Sequence, residues 1–299
     1  MIPVFISKCS SIAPDSTIVD DRMPAVEPDY RNIITDATLR RRMSRFVKMG
    51  VACGLDCIGE TPANEIDAII TATGLGCLGD TEKFLDSIIV NNERLLNPTP
   101  FIQSTFNTVG GQLALIKAIH SYNVTYVHRG LSFESALIDA MLQVADGARN
   151  VLVGAVDEIT TSSFDVQKRL GLLQNRPLGE GAQFFMLNGN KKEAIAICDV
   201  ATFSNSIDFS VEIDKFLHRN NFKISDLDYI LNGNETITHK FENLPVVDFK
   251  KQCGDYQTTT AFALYSAVQL VQNKNQCNVL IANTYQNINH SLILLRSVK

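Results

Sequence analysis

Short apolar runs alternate with stretches of helical spacing along the whole chain. Val4-Phe5-Ile6-Ser7 opens as a strand. Residues 38–52 then place Leu39, Met43, Phe46, Val47 and Val51 at helical spacing. The run IDAIITATG at 66–74 has the unbroken apolar character of a buried strand. Residues 81–91 read as a helix, closed off by Pro98 and Pro100, and 107–121 as a helix of small residues. A strand at 124–128, a helix at 132–144 and a strand at 150–159 follow, the last running into a polar loop. The remainder reads as strands at 182–189, 194–204, 228–234, 246–249, 277–285 and 290–298, with helices at 211–220 and 258–272.

Strands that alternate with helices imply an α/β fold of mixed, mainly parallel sheets layered with helices. The order also repeats. IDAIITATG followed by PFIQSTFNTVGGQLALIKAI resembles LDYILNGNE followed by LPVVDFKKQCGDYQTTTAFALYSAVQL. Each copy is a buried strand, a loop, a short strand, a polar turn and a helix of small residues. Two related halves, 1–165 and 166–299, packed as one compact unit are expected.

Charge and cysteine usage narrow the classes. A net charge of −5 gives no positive field for phosphate backbones, so nucleic acid is not an expected partner. Seven scattered cysteines with no CxxC suggest neither a disulfide framework nor a zinc knuckle. Cys53 and Cys57, four apart, read as small buried residues on one helix face. The start MIPVFISKCS is not a signal peptide, and no apolar run is long enough to span a membrane. A cytoplasmic protein is expected. Gly74-Leu75-Gly76-Cys77-Leu78-Gly79 fits GxGxxG, yet no strand with an acidic ribose ligand follows at the required distance. The glycines therefore read as a loop that needs positive φ and close backbone packing, and no cofactor or metal is implied.

Several segments, in order, resemble the β-ketoacyl-acyl-carrier-protein synthases of the thiolase fold. LRRRMSRFVKMGVACGLDCIG resembles that family's first long helix and TGLGCLGDTEKF its glycine loop. FNTVGGQLALIKAI resembles the helix before the active-site strand. YVHRGLSFESALIDAMLQVADGARNVLVGAVDE resembles the nucleophile strand, elbow, helix and next strand. PLGEGAQFFML resembles the GEGA segment, and FKKQCGDYQTTTAFALYSA the lysine–glycine–histidine segment. The resemblance implies five layers, α-β-α-β-α, and a reaction that needs a cysteine thiolate and two histidines. The thiolate takes up an acyl chain; the imidazoles stabilise an oxyanion.

Carried over residue by residue, that triad is missing. The cysteine position falls on Gly130. The first histidine, in a motif read as HGTGT, falls on Gly233, give or take one. Lys250 and Gly254 match the lysine and glycine of the last motif, but the second histidine is Asp255. An ionised Asp donates no hydrogen bond. The last glycine-rich loop of the family appears as TYQNIN (284–289), whose backbone is not expected to follow a glycine-only path. The sequence thus resembles the degenerate partners of active synthases called chain-length factors, as in aryl polyene and flexirubin-type pigment pathways. The resemblance implies a heterodimer with an active ketosynthase, meeting through the strand before the elbow, with a homodimer as the other assembly. An acyl carrier protein is a further implied partner.

Ser132 is the surviving nucleophile candidate, against a helix cap as the plainer role. His128 is its candidate base, or a core histidine on the strand; Glu134 neutralises Arg129 or caps the helix. Cys253 is a second candidate nucleophile, which leaves an acyltransferase or hydrolase as the alternative function. Phe106, Phe133 and Phe262, with Phe101, lie near segments that line the acyl tunnel in that family. Arg40, Arg41, Arg42, Arg45 and Lys48 form a basic cluster, either a solvated face or a docking site for an acidic partner.

Overall fold

A computed structural model of the chain describes residues 4–173, 176–191, 193, 195–205, 208–272 and 274–297. The expected strand limits at 194 and 298 lie outside them. The strands are β1 (Val4–Ile12), β2 (Arg22–Met23), β3 (Ala68–Ala72), β4 (Tyr122–Tyr126), β5 (Val151–Asp157) and β6 (Leu178–Gly179). They continue as β7 (Gly181–Asn188), β8 (Ile195–Ser204), β9 (Tyr229–Gly233), β10 (Val246–Val247), β11 (Asn278–Tyr285) and β12 (Asn289–Ser297).

Ten of these form one mixed sheet in the order β10-β9-β11-β12-β8-β1-β7-β5-β3-β4. Read from either outer edge inward, the pairings follow the same sequence. The first two are parallel and the next two antiparallel. The two sets join where Val4–Ile6 of β1 pairs with Ile195–Ile197 of β8. The topological seam therefore falls between Asn188 and Ile195; β7, which follows the division expected at 165/166, pairs with β1 and β5.

The helices are α1 (Ala37–Arg42), α2 (Arg45–Ile58), α3 (Leu78–Val90), α4 (Pro98–Gln103), α5 (Thr108–Lys117) and α6 (Ser132–Ala145). The rest are α7 (Thr161–Arg169), α8 (Phe209–Arg219), α9 (Lys250–Cys253) and α10 (Thr259–Val271). Helix α6 buries Phe133, Ala136, Leu137, Ala140, Met141 and Val144, the stripe that helical periodicity demands. It shares the central core with α10, which is apolar on nearly every side because strands from both halves surround it. A second core lies under α2 and α5, and a third under α8. The result is five layers, α-β-α-β-α. Strands β3, β5 and β7 are buried along their whole length, which explains their unbroken apolar runs.

Local chemistry moved several boundaries. The single helix expected over 38–52 is two. Met43 is extended, and the Ser44 hydroxyl caps α2 by accepting from the Val47 amide. Apolar spacing ran through the break because Met43, Phe46 and Val47 face one core. Pro98 and Pro100 start a helix instead of ending a unit: Asn97 caps α4 and proline suits its first turn. The expected polar loop after β5 holds α7, started by a capping box at Thr160 and Ser163. The strand expected at 124–128 stops at Tyr126, which leaves His128 outside the sheet.

Candidate functional site

The turn between β4 and α6 is where the family's nucleophile belongs. Its backbone is sharp: Arg129 adopts φ 49°, a left-handed conformation uncommon for a side-chain-bearing residue. Gly130 follows, buried, in a 3-10 turn over Arg129–Leu131. A Cβ added to Gly130 would lie 2.6 Å from Cδ1 and 2.7 Å from Cβ of Tyr285. Tyr285 ends β11 in the second half and is itself buried. The space that a nucleophilic side chain would fill thus holds a tyrosine.

The hydroxyl of Ser132 is spent on the same turn. It accepts from the His128 amide at 2.7 Å and donates to the Arg129 carbonyl at 2.7 Å. Leu131, not Ser132, takes the position before α6, so the expected cap is corrected to a turn clasp. His128 is exposed, and its Nδ1 lies 3.3 Å from Ser135 Oγ. It is neither a core histidine nor bonded through its ring to Ser132. Glu134 is also corrected. It is fully buried, and its Oε1 accepts from Ser291 Oγ of β12 at 2.7 Å. Burial pushes its carboxyl above the usual range, against the pull of the Ser291 and Thr260 hydroxyls.

The second degenerate position is closed in the same way. A Cβ on Gly233 would lie 2.4 Å from Asn283 Oδ1 and 2.7 Å from Phe249 Cζ. Next to it, Asn234 Nδ2 donates to Thr284 Oγ1 at 2.8 Å, and Thr284 Oγ1 lies 2.9 Å from His290 Nδ1. A cavity of about 640 Å³ opens beside Asn234, Thr236, His239, Asn287 and His290. The third position, Asp255, forms an ion pair with buried Lys250 at 2.8 Å, and Lys250 Nζ donates to the Thr284 carbonyl at 2.6 Å. The Asp255 carboxylate is thereby held against Lys250. Asn283, Thr284 and Tyr285 are consecutive, so one strand end fills two vacated positions and anchors the lysine at the third.

Cys253 is completely buried; Phe249 O, Gly254 O and Thr259 Oγ1 lie within 3.4 Å of its Sγ. Burial pushes its thiol up to about 12. At neutral pH it stays protonated and is a poor nucleophile. The TYQNIN segment forms the turn between β11 and β12. Gln286 (φ 51°) and Asn287 (φ 54°) both take left-handed conformations, and Ile288 N–H donates to Tyr285 O at 3.1 Å. Two positive-φ central residues make a tight hairpin between β11 and β12, so non-glycine residues do follow a left-handed path.

Carboxylates occupy the glycine loop. Asp157, at the end of β5, accepts from the Gly74 amide at 2.8 Å, Thr73 Oγ1 at 2.9 Å and Thr258 Oγ1 at 2.7 Å. It pins the loop to the second half. Glu158 accepts from the Gly79 amide at 2.9 Å. These amides are the donors a dinucleotide phosphate would need. Gly76 has φ 72°, and a Cβ on Gly74 would lie 2.2 Å from Gln257, so both glycines are needed for conformation and contact. Burial raises the Glu158 carboxyl to about 7.

The remaining candidates separate. Phe133 and Phe262 share the central core, and Phe133 packs on Phe185 with centroids 5.9 Å apart. Phe106 is half exposed over Gly76, and Phe101 is exposed beside Phe84. Arg45 leaves the docking cluster: its guanidinium bonds Glu180, whose side chain is 2% exposed, and Glu27. Arg41 and Arg42 are exposed, while Arg40 and Lys48 are half-buried. Sequence reasoning missed Tyr285, Asn283 and Asp157, because their roles depend on contacts with other elements far away in the chain. Among the described residues, no group of three histidine, cysteine or acidic side chains is placed to hold a metal, and no helix is long and apolar enough to cross a membrane.

Comparison with known proteins agrees with this architecture. A family model described as beta-ketoacyl synthase, N-terminal domain, matches residues 21–194. No curated protein matches the sequence. Among solved structures, the ishigamide ketosynthase/chain length factor superposes with a TM-score of 0.82 at 14% identity, covering 99% of this chain and 100% of that one. A beta-ketoacyl synthase from Burkholderia phymatum STM815 gives 0.78 at 12% identity, with 100% of both chains covered. A complex of the ketosynthase ApeO with its chain length factor ApeC from Xenorhabdus doucetiae gives 0.76 at 13% identity, covering 99% and 98%. At these identities the structural likeness speaks for the fold.

Proposed function

Since the chain belongs to the beta-ketoacyl synthase family, whose N-terminal domain it matches over residues 21–194, we propose that it is a non-catalytic subunit of chain-length-factor type. It pairs with an active ketosynthase in polyketide or polyene assembly, in the cytoplasm. The Tyr285 ring beside Gly130 carries this reading. A residue that had merely lost its thiol would leave a gap; here a second-half side chain fills it. The Asp255–Lys250 pair supports the same reading, because it replaces an oxyanion donor with a neutralised carboxylate.

The pairing surface we infer runs along β4. Strand β4 is an outer strand of the sheet, and its sequence Tyr122-Asn123-Val124-Thr125-Tyr126 has no charge or proline to discourage edge pairing. Nearby elements α3, α4 and α5 expose Ile89, Val90, Phe101, Ile102 and Leu115. A partner that extends the sheet there covers an apolar face of the kind that marks interfaces. In this reading Phe133 and Phe262, from the central core, and Phe106, nearer the surface, are the residues on the side of the acyl chain, and Arg40, Arg41, Arg42 and Lys48 face an acidic partner such as a carrier protein.

Co-expression with a ketosynthase that carries the full Cys-His-His triad tests the proposal. A one-to-one complex is expected, with acyl label on the partner alone. Phe101→Glu combined with Ile102→Glu should weaken that complex and leave the chain folded. A chain that stays apart from ketosynthases, or that becomes acylated when incubated alone with an acyl thioester, overturns it.

A further inference from the structure

We propose that the concavity between residues 29–31 and the first two helices is a binding site for a phosphate group. It measures about 300 Å³ and is bordered by Asp29, Tyr30, Arg31, Arg40, Arg41 and Lys48. Four cationic side chains share it with one carboxylate, in a protein whose net charge is −5.

The internal hydrogen bonds leave that charge available. Asp29 and Arg31 neutralise one another, Nε and Nη2 donating at 2.7–3.0 Å, which leaves Arg40, Arg41 and Lys48 as the unspent cations. The Tyr30 hydroxyl donates to Glu27 at 2.7 Å and so does not bring a second anion into the site. Arg40 donates to the carbonyl oxygens of Ile34 and Thr35. Carbonyl dipoles aim a guanidinium without cancelling its charge. Among the described residues, Arg41 and Lys48 have no anionic partner. Arg45 lies one turn before Lys48 on α2 and offers the contrast, because Glu27 and Glu180 take up its charge.

The geometry also selects the anion. The unspent cations come from two separate helices: Arg40 and Arg41 from α1, and Lys48 from α2. A planar carboxylate presents two oxygens to one side. A tetrahedral phosphate presents oxygens in several directions, suits the forked guanidinium and carries more charge. The source is either free inorganic phosphate or the phosphomonoester of a small metabolite.

Calorimetric titration of the full chain alone with inorganic phosphate tests this, with ionic strength held constant by sodium chloride. No ketosynthase is needed, so the result is independent of the pairing proposed above. Saturable one-site binding is expected. Arg41→Glu with Lys48→Glu should weaken it by roughly tenfold or more, and Arg169→Glu, exposed at the end of α7 and outside the concavity, should leave it unchanged. If the doubly reversed variant does not fold, Arg41→Gln serves in its place and should weaken binding in the same direction. Glycerol phosphate as a second titrant separates the sources: tighter binding than inorganic phosphate marks a phosphomonoester, equal or weaker binding the free anion. Absence of saturable phosphate binding, or equal weakening by Arg169→Glu, overturns the proposal.

Discussion

At Gly130 the backbone admits a side chain and the space around it does not. Its φ is not in the left-handed range, so a Cβ is unwelcome only because Tyr285 stands 2.6 Å from where it would lie. Gly130→Cys should therefore fail to restore acylation and should cost about 1–3 kcal/mol as overpacking. Urea unfolding, with mass spectrometry after exposure to an acyl thioester, checks both parts. In a Tyr285→Ala background the same substitution should cost less, and that coupling would identify the tyrosine as the obstruction. That position 130 holds glycine where the family resemblance expects a thiol was legible in the sequence, because the elbow segment aligns without a gap. The filling of its place was not. Nothing in the local pattern around Tyr285 marks a residue that packs against position 130.

The helical element at the N-terminus shows how one periodic pattern can conceal two roles. Arg40, Arg41, Arg42, Arg45 and Lys48 look equivalent when read along the chain. The Ser44 cap divides them between α1 and α2 and turns Arg45 inward onto Glu180. Glu180 also accepts the amides of Ala25 and Ile159, so it holds three segments together. Arg45→Met leaves that buried carboxylate without its cation and should cost about 3–5 kcal/mol. Arg41→Ala and Arg42→Ala should each stay within about 0.5 kcal/mol of the parent. Chemical denaturation distinguishes the three. The amphipathic stripe was readable from spacing; the break was not, because Met43 keeps the apolar register while its backbone leaves the helix.

For the whole molecule, the buried carboxyl groups set a pH dependence. Burial raises Glu134 and Asp157, and raises Glu158 from 4.5 to about 7. The folded chain therefore holds protons at these sites that the unfolded chain has released. For Glu158 that contribution to stability is complete below about pH 4.5 and is lost as pH rises toward 7, and Glu134 and Asp157 act with the same sign. His290 has the opposite sign: burial lowers it, so its contribution falls as pH drops below its usual 6.5. A difference measurement isolates Glu158. Glu158→Gln should gain stability relative to the parent between pH 5 and 7, reaching on the order of 1–2 kcal/mol given its partial exposure. Above about pH 8 the gap should be constant. Melting curves at matched salt across that range provide the check.

Apolar periodicity determined the alternating α/β elements, and the order of family-like segments pointed to Gly130, Gly233 and Asp255 as the places where the family carries its cysteine and histidines. Those properties are local, and a chain carries its own spacing. Three-dimensional packing decided the rest: Tyr285 and Asn283 closing the vacated positions, Asp157 joining the glycine loop to the second half, and Arg45 leaving the basic face. Each of these depends on contacts between residues far apart in the chain. Such contacts are set by how the sheets and helices stack, which spacing along the chain does not encode.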